Sequence, residues 1–141
     1  MLDKKRIAVK FDELAQLLAE LEQITPKIYK QYLTIEKRRS CERLMQLSIE
    51  CVLDVCKLLV SGLNLGMPGK EIDILDVLEK NKVISKKLNN ELKEMRGFRN
   101  LLVHEYAMID NELAFKILKT KANSFTGFKK EITEFIKRKE R

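Results

Sequence analysis

Between Leu2 and Ile24 the large apolar residues Ile7, Phe11, Leu14, Leu18 and Leu21 recur at alternating spacings of four and three. That stripe predicts an amphipathic helix with one buried face. Pro26 disfavours helical geometry at the residue before it, so the helix is expected to end near Thr25. Tyr29, Tyr32 and Leu33 lead into a second start, where Thr34 can cap a long helix running to about Ser61, with Glu36 well placed in its first turn. Leu44, Ser48, Cys51, Val55 and Leu58 mark the inward side of this helix, and Glu42, Gln46, Glu50 and Asp54 mark polar positions. Gly62, Gly66, Pro68 and Gly69 form a loop rich in chain breakers. A short helix follows over Lys70 to Lys80, turning Ile72, Leu75 and Leu78 or their neighbours inward.

Ser85 is a good N-cap for the next helix, whose inward stripe is Leu88, Leu92, Met95, Phe98 and Leu102. A break is expected over 107–110, with Asp110 capping a last helix in which Ala114, Phe125, Phe128, Ile132 and Phe135 keep a helical period, interrupted only at Gly127. The expected fold is therefore all-α, an antiparallel up-and-down bundle of four main helices plus the short one at Lys70, in a single domain over 1–141.

Composition narrows this picture. With 45% apolar and 35% charged residues, five Gly and two Pro, the chain has the make-up of a helical globular domain. No run approaches the roughly 18 uninterrupted apolar residues of a membrane span, and Met1-Leu2-Asp3-Lys4 leads into no hydrophobic region of the signal-peptide kind. A cytoplasmic location without a membrane partner is expected. Three cysteines cannot all pair within one chain, and Cys51 and Cys56 fall where small core residues belong. With no Cys-x-x-Cys pair and a single histidine, neither a zinc site nor another metal or cofactor is expected. The glycines of the loop lack the Gly-Lys-Ser/Thr ending of a phosphate loop. A net charge of +7 and a pI near 9.3 fit a polyanionic partner such as RNA. The basic clusters are dispersed, however, and each alone is commonly a solvated helix face.

Candidate chemistry gathers around that one histidine, His104, in the stretch Met95-Arg96-Gly97-Phe98-Arg99-Asn100-Leu101-Leu102-Val103-His104-Glu105-Tyr106. Histidine takes and gives protons near neutrality, and a guanidinium holds a phosphate by two parallel hydrogen bonds. On a helix, Arg96, Asn100 and His104 would share one face, with Arg99 to its side, and Tyr106 would return to the side of Arg99. The apolar stripe can fill the core while leaving this face free. RNA is cut without metal when a base takes the 2′-hydroxyl proton, an acid protonates the leaving 5′-oxygen and a cation stabilises the phosphorane. One histidine per chain is a limitation for two proton transfers, and a two-fold homodimer pairing two such helices would supply two.

Arg99, His104 and Tyr106 together resemble the R-x-x-x-x-H-x-Y signature of the HepT-like toxins, the ribonuclease branch of the HEPN superfamily, with Asn100 as the polar residue that commonly follows the arginine. The stretch from Glu42 to Asp54 is similar to that family's second helix. The resemblance implies a HEPN-like bundle acting as the toxin of a HEPN/MNT toxin–antitoxin module. It implies a metal-independent endoribonuclease with Arg99 and His104 catalytic, supported by Asn100, Arg96 and Glu42, at a composite site on a homodimer interface. It further implies an MNT-type nucleotidyltransferase antitoxin, in a complex that can exceed the dimer, transferring AMP from ATP to Tyr106. The alternative is a non-catalytic helical partner of a nucleotidyltransferase that holds nucleotide or RNA.

Overall fold

The computed structural model describes residues 1–104 and 108–140, and among these residues every regular element is a helix. In chain order they are α1 (Lys4–Ile24), α2 (Tyr29–Tyr32), α3 (Ile35–Gly62), α4 (Glu71–Lys80), α5 (Lys86–Val103), α6 (Asn111–Thr120) and α7 (Ala122–Glu140). No helix among the described residues is long and apolar enough to cross a membrane.

Pairwise side-chain contacts establish antiparallel packing. Along α1 and α3, Thr25 approaches Cys41, Lys10 pairs with Asp54 at 3.1 Å, and a Cβ on Gly62 would stand 3.0 Å from the Leu2 Cα. That last approach is tighter than an ordinary van der Waals contact, so a side chain at the end of α3 would require the backbone at Leu2 to give by a few tenths of an ångström. Along α4 and α5, Glu71 faces Arg96 while Asp76 and Glu79 face Asn89. Along α5 and α7, Lys121 meets Glu94 just before α7 begins, Ser124 meets Glu91, and Glu131 accepts from the Ser85 backbone N–H at 2.7 Å.

The long helix α3 is the hub, touching α1, α2, α4, α5 and α6. Its burial explains this position. Beyond the expected inward residues Ser48, Cys51 and Val55, it also buries Met45, Ile49, Val52, Leu53, Cys56, Leu59 and Val60, so it is covered on several sides rather than along one stripe. The three cysteines are free and buried. Desolvation pushes the thiol of Cys51 up to about 11 and that of Cys56 up to about 12, as expected of thiols that serve packing rather than reactivity.

The helix starts at Ser85 and Asp110 follow the expected capping chemistry. The Ser85 hydroxyl accepts from the Leu88 N–H at 3.1 Å, and Asp110 accepts from the N–H groups of Glu112 and Leu113. Thr34 precedes α3 but makes no capping bond with its side chain. Two features depart from the periodicity reading. The segment around Tyr29 and Tyr32 is itself one helical turn, anchored because both rings pack on Phe115 of α6 with centroids 5.6 and 5.3 Å away. The expected last helix is two helices, divided at Lys121 rather than at Gly127. The division lets α6 pack on α2 and α3 while α7 packs on α5, and it brings Phe128 edge-on to Phe11 of α1. Gly127 is tolerated inside α7 because Phe125 and Phe128 on either side of it are both fully buried.

Candidate active site

The inward stripe of α5 lies where the spacing placed it. Leu88, Leu92, Met95 and Phe98 are buried and Leu102 partly so, which leaves Arg96, Asn100 and the end of the helix beside the core. His104 is the C-cap of α5, with extended backbone and its N–H directed to the Asn100 carbonyl at 3.3 Å. Its side chain is exposed. The helical face expected to run through Arg96, Asn100 and His104 therefore stops at Val103, and His104 is carried by backbone that has already left the helix. Among the described residues no hydrogen bond or ion pair links its imidazole to the arginines.

Arg99 is drawn inward, with only 13% of its side chain exposed. Its Nε donates to the Asn100 carboxamide oxygen at 3.0 Å and its Nη2 donates to Glu71. Glu50 of α3 lies 3.8 Å from Nη1. Arg96 donates from Nε to the same Glu71 oxygen at 3.1 Å, and Lys57 of α3 stands 3.8 Å from the other oxygen of that carboxylate. Gln46 donates to Glu50 at 3.3 Å, fixing the second acidic group. Three cations and two carboxylates from α3, α4 and α5 thus form one partly buried cluster that keeps a net positive charge, as a phosphate-binding surface requires.

Glu42 does not join it. The supporting role that the resemblance implies for it finds no contact with Arg96 or Arg99 among the described residues: Glu42 is buried and pairs at 3.0 Å with Arg39 one turn before it on the same helix. Its other oxygen has no hydrogen-bond partner among the described residues, nor has the buried Tyr32 hydroxyl. Burial and the Glu42 charge both push the Tyr32 phenol pKa upward. The acidic residue of α3 that meets Arg99 is Glu50, eight positions on and so about 12 Å further along the helix axis. Tyr106 lies outside the described residues.

Glu71 and Lys57 were missed by sequence reading. Glu71 stands 25 and 28 positions from its arginines, so no helical period links them. A glutamate in the first turn of a short helix reads locally as a partner of the helix dipole and nothing more. A separate apolar groove of about 590 Å³ runs between α5 and α6, lined by Met95, Gly97, Phe98, Leu101, Leu113 and Ile117. Leu101 and Val103, in the last turn of α5, are 41% and 44% exposed.

Residues 14–132 match the family described as Ribonuclease HepT-like. YutE of Bacillus subtilis is 30% identical over 95 residues, covering 67% of this chain and 66% of its own length. Its structure, described as that of a cytosolic protein of unknown function, superposes with a TM-score of 0.84 at 24% identity, covering 98% of this chain and 93% of that one. An mRNA nuclease HepT of Shewanella oneidensis is 26% identical over 84 residues, 60% of this chain and 63% of its own. Both of these sequence matches span just under two thirds of the relative. The structure of a tri-AMPylated Shewanella oneidensis HEPN toxin in complex with an MNT antitoxin superposes with a TM-score of 0.85 at 21% identity, covering 91% of this chain and 96% of that one.

Proposed function

Because this chain belongs to the Ribonuclease HepT-like family, we propose that it is a metal-independent endoribonuclease, the toxin of a toxin–antitoxin pair. The reading rests above all on one observation. Arg99 is held in a net-positive cluster at the end of α5, and His104, exposed and without a competing partner among the described residues, caps that same helix.

In this reading the imidazole of one His104 takes the proton of an RNA 2′-hydroxyl, and the 2′-oxygen attacks the adjacent phosphorus. The bond from phosphorus to the 5′-oxygen breaks as a second imidazole gives that oxygen a proton. Arg99 and Arg96 face the non-bridging phosphate oxygens, which carry the growing negative charge. The second histidine comes from a second copy. A homodimer in which two α5 helices meet would place both histidines and both pairs of arginines on one groove, and would cover the exposed Leu101 and Val103.

Control is assigned to an MNT-type nucleotidyltransferase that transfers AMP from ATP to Tyr106. It is supported by the position of Tyr106 two residues after His104 and by the AMPylated state of the similar HEPN toxin. The reaction belongs in the cytoplasm, where RNA and ATP are both present, and YutE is likewise described as cytosolic.

Expression of the chain alone tests the proposal as a whole. Growth should arrest and cellular RNA should fragment, and co-expression of a cognate nucleotidyltransferase should restore both. Intact RNA under expression of the chain alone, with partner binding retained, would replace this reading with that of a non-catalytic nucleotide- or RNA-holding partner.

A further inference from the structure

Glu71 is the carboxylate that meets all three cations of the cluster. One of its oxygens accepts from Arg96 and Arg99 together, and the other faces Lys57. The carboxylate sits in the first turn of α4, where the helix dipole favours a negative charge, and the preceding Lys70 supplies no side-chain cap. Only 22% of the Glu71 side chain is exposed.

The donors left over are the informative ones. Of the three Arg99 nitrogens, Nε is taken by Asn100 and Nη2 by Glu71, while Nη1 makes no hydrogen bond among the described residues and faces the Glu50 carboxylate only at 3.8 Å. Arg96 uses Nε on Glu71 and likewise has two terminal nitrogens without a hydrogen bond among the described residues. Two like-charged guanidiniums are thus brought to one point, each gripped on part of its fork and each keeping terminal nitrogens that make no hydrogen bond among the described residues.

We propose that Glu71 is a positioning residue for RNA cleavage: it holds the Arg96 and Arg99 guanidiniums side by side, with their remaining terminal N–H groups set to receive the scissile phosphate. The proposal rests on the nuclease reading above and adds to it a residue outside the R-x-x-x-x-H-x-Y stretch. Removing Glu71 has two opposed consequences. The arginines repel one another and lose their common anchor, so the transition state is held less well. The cluster also becomes more positive, so polyanionic RNA binds no more weakly than before.

The test compares Glu71→Ala with Glu71→Gln, which keeps an acceptor oxygen and removes the charge. Kinetics on a defined RNA would be read beside the side-chain Nε–H resonances of the two arginines by NMR. For Glu71→Ala we expect kcat to fall by about 100-fold, the scale of a misplacement near 1 Å, with KM unchanged or lower. The arginine resonances should lose their protection from exchange. Glu71→Gln should retain within about 10-fold of the wild-type kcat, because the carbonyl can still gather both donors. The remaining ties between α4 and α5, Asn89 to Asp76 and Glu79 and Lys93 to Asp76, are untouched in both variants. A wild-type kcat in Glu71→Ala overturns the proposal, and so does faster cleavage, which would make Glu71 a competitor of the phosphate. Arginine resonances that stay ordered in Glu71→Ala overturn it even without a kinetic assay. A wild-type chain that cuts no RNA defeats the nuclease reading instead, a failure that the resonances keep separate from that of the anchoring role.

Discussion

His104→Ala should lower RNA cleavage by about 100- to 10,000-fold, the range supplied by general acid–base groups. The structure gives this variant an unusually clean interpretation. The His104 side chain is exposed at the end of α5, and its structural contact is made by the backbone N–H, which alanine retains. Folding stability should therefore change by less than about 0.5 kcal/mol, as for ordinary surface substitutions. A loss of activity with an unchanged melting transition then belongs to proton transfer. Arg99→Ala should be as inactive but less simple, because it also releases Glu71 and Asn100 from their shared partner. Cleavage by the wild type should persist in EDTA. Wild-type rates from His104→Ala in a nuclease-free preparation would remove the histidine from the mechanism.

Tyr106→Phe should keep most of the nuclease activity and yet escape silencing by a nucleotidyltransferase with ATP. Phenylalanine preserves the ring but lacks the oxygen that would attack the α-phosphate of ATP. When that oxygen forms the new P–O bond, pyrophosphate leaves and the phenolic proton passes to solvent or a base on the transferase. The product carries a phosphodiester charge two residues after His104, where it can compete with RNA phosphate for the arginines, and the nucleoside adds bulk to the same groove. Mass spectrometry of the co-expressed protein should find one or more AMP additions on the peptide containing Tyr106. An unmodified peptide in a fully neutralised complex would mean that the partner inhibits by binding alone.

Local chemistry explains which parts of this molecule could be anticipated. The stripes of α1 and α5 and the caps at Ser85 and Asp110 depend on neighbours within one or two turns, so spacing alone places them. The turn at Tyr29–Tyr32 and the division of α6 from α7 depend on Phe115 and on packing partners far along the chain, which a periodic pattern does not encode. The site divides in the same way. Arg99 and Asn100 are adjacent in sequence and meet in space, whereas the carboxylates that hold Arg99 come from α3 and α4. Choosing among Glu42, Glu50 and Glu71 requires the crossing of three helices: the resemblance points to Glu42, whereas Glu50 is the α3 carboxylate that lies against Arg99. The helical continuity assumed for His104 fails for a different reason: the helix ends at Val103 and His104 adopts the extended backbone of a cap.

Subunit mixing tests whether two copies build one cutting site. Wild-type and His104→Ala chains would be combined in equal amounts, unfolded and refolded together so that dimers form at random, and assayed on a defined RNA in EDTA. If each site needs a histidine from both chains, only the dimers with two wild-type subunits cut, and the rate should fall to about one quarter of that of the same total amount of wild type. A rate near one half would mean that each chain cuts with its own His104, contradicting a composite site at the junction of two α5 helices.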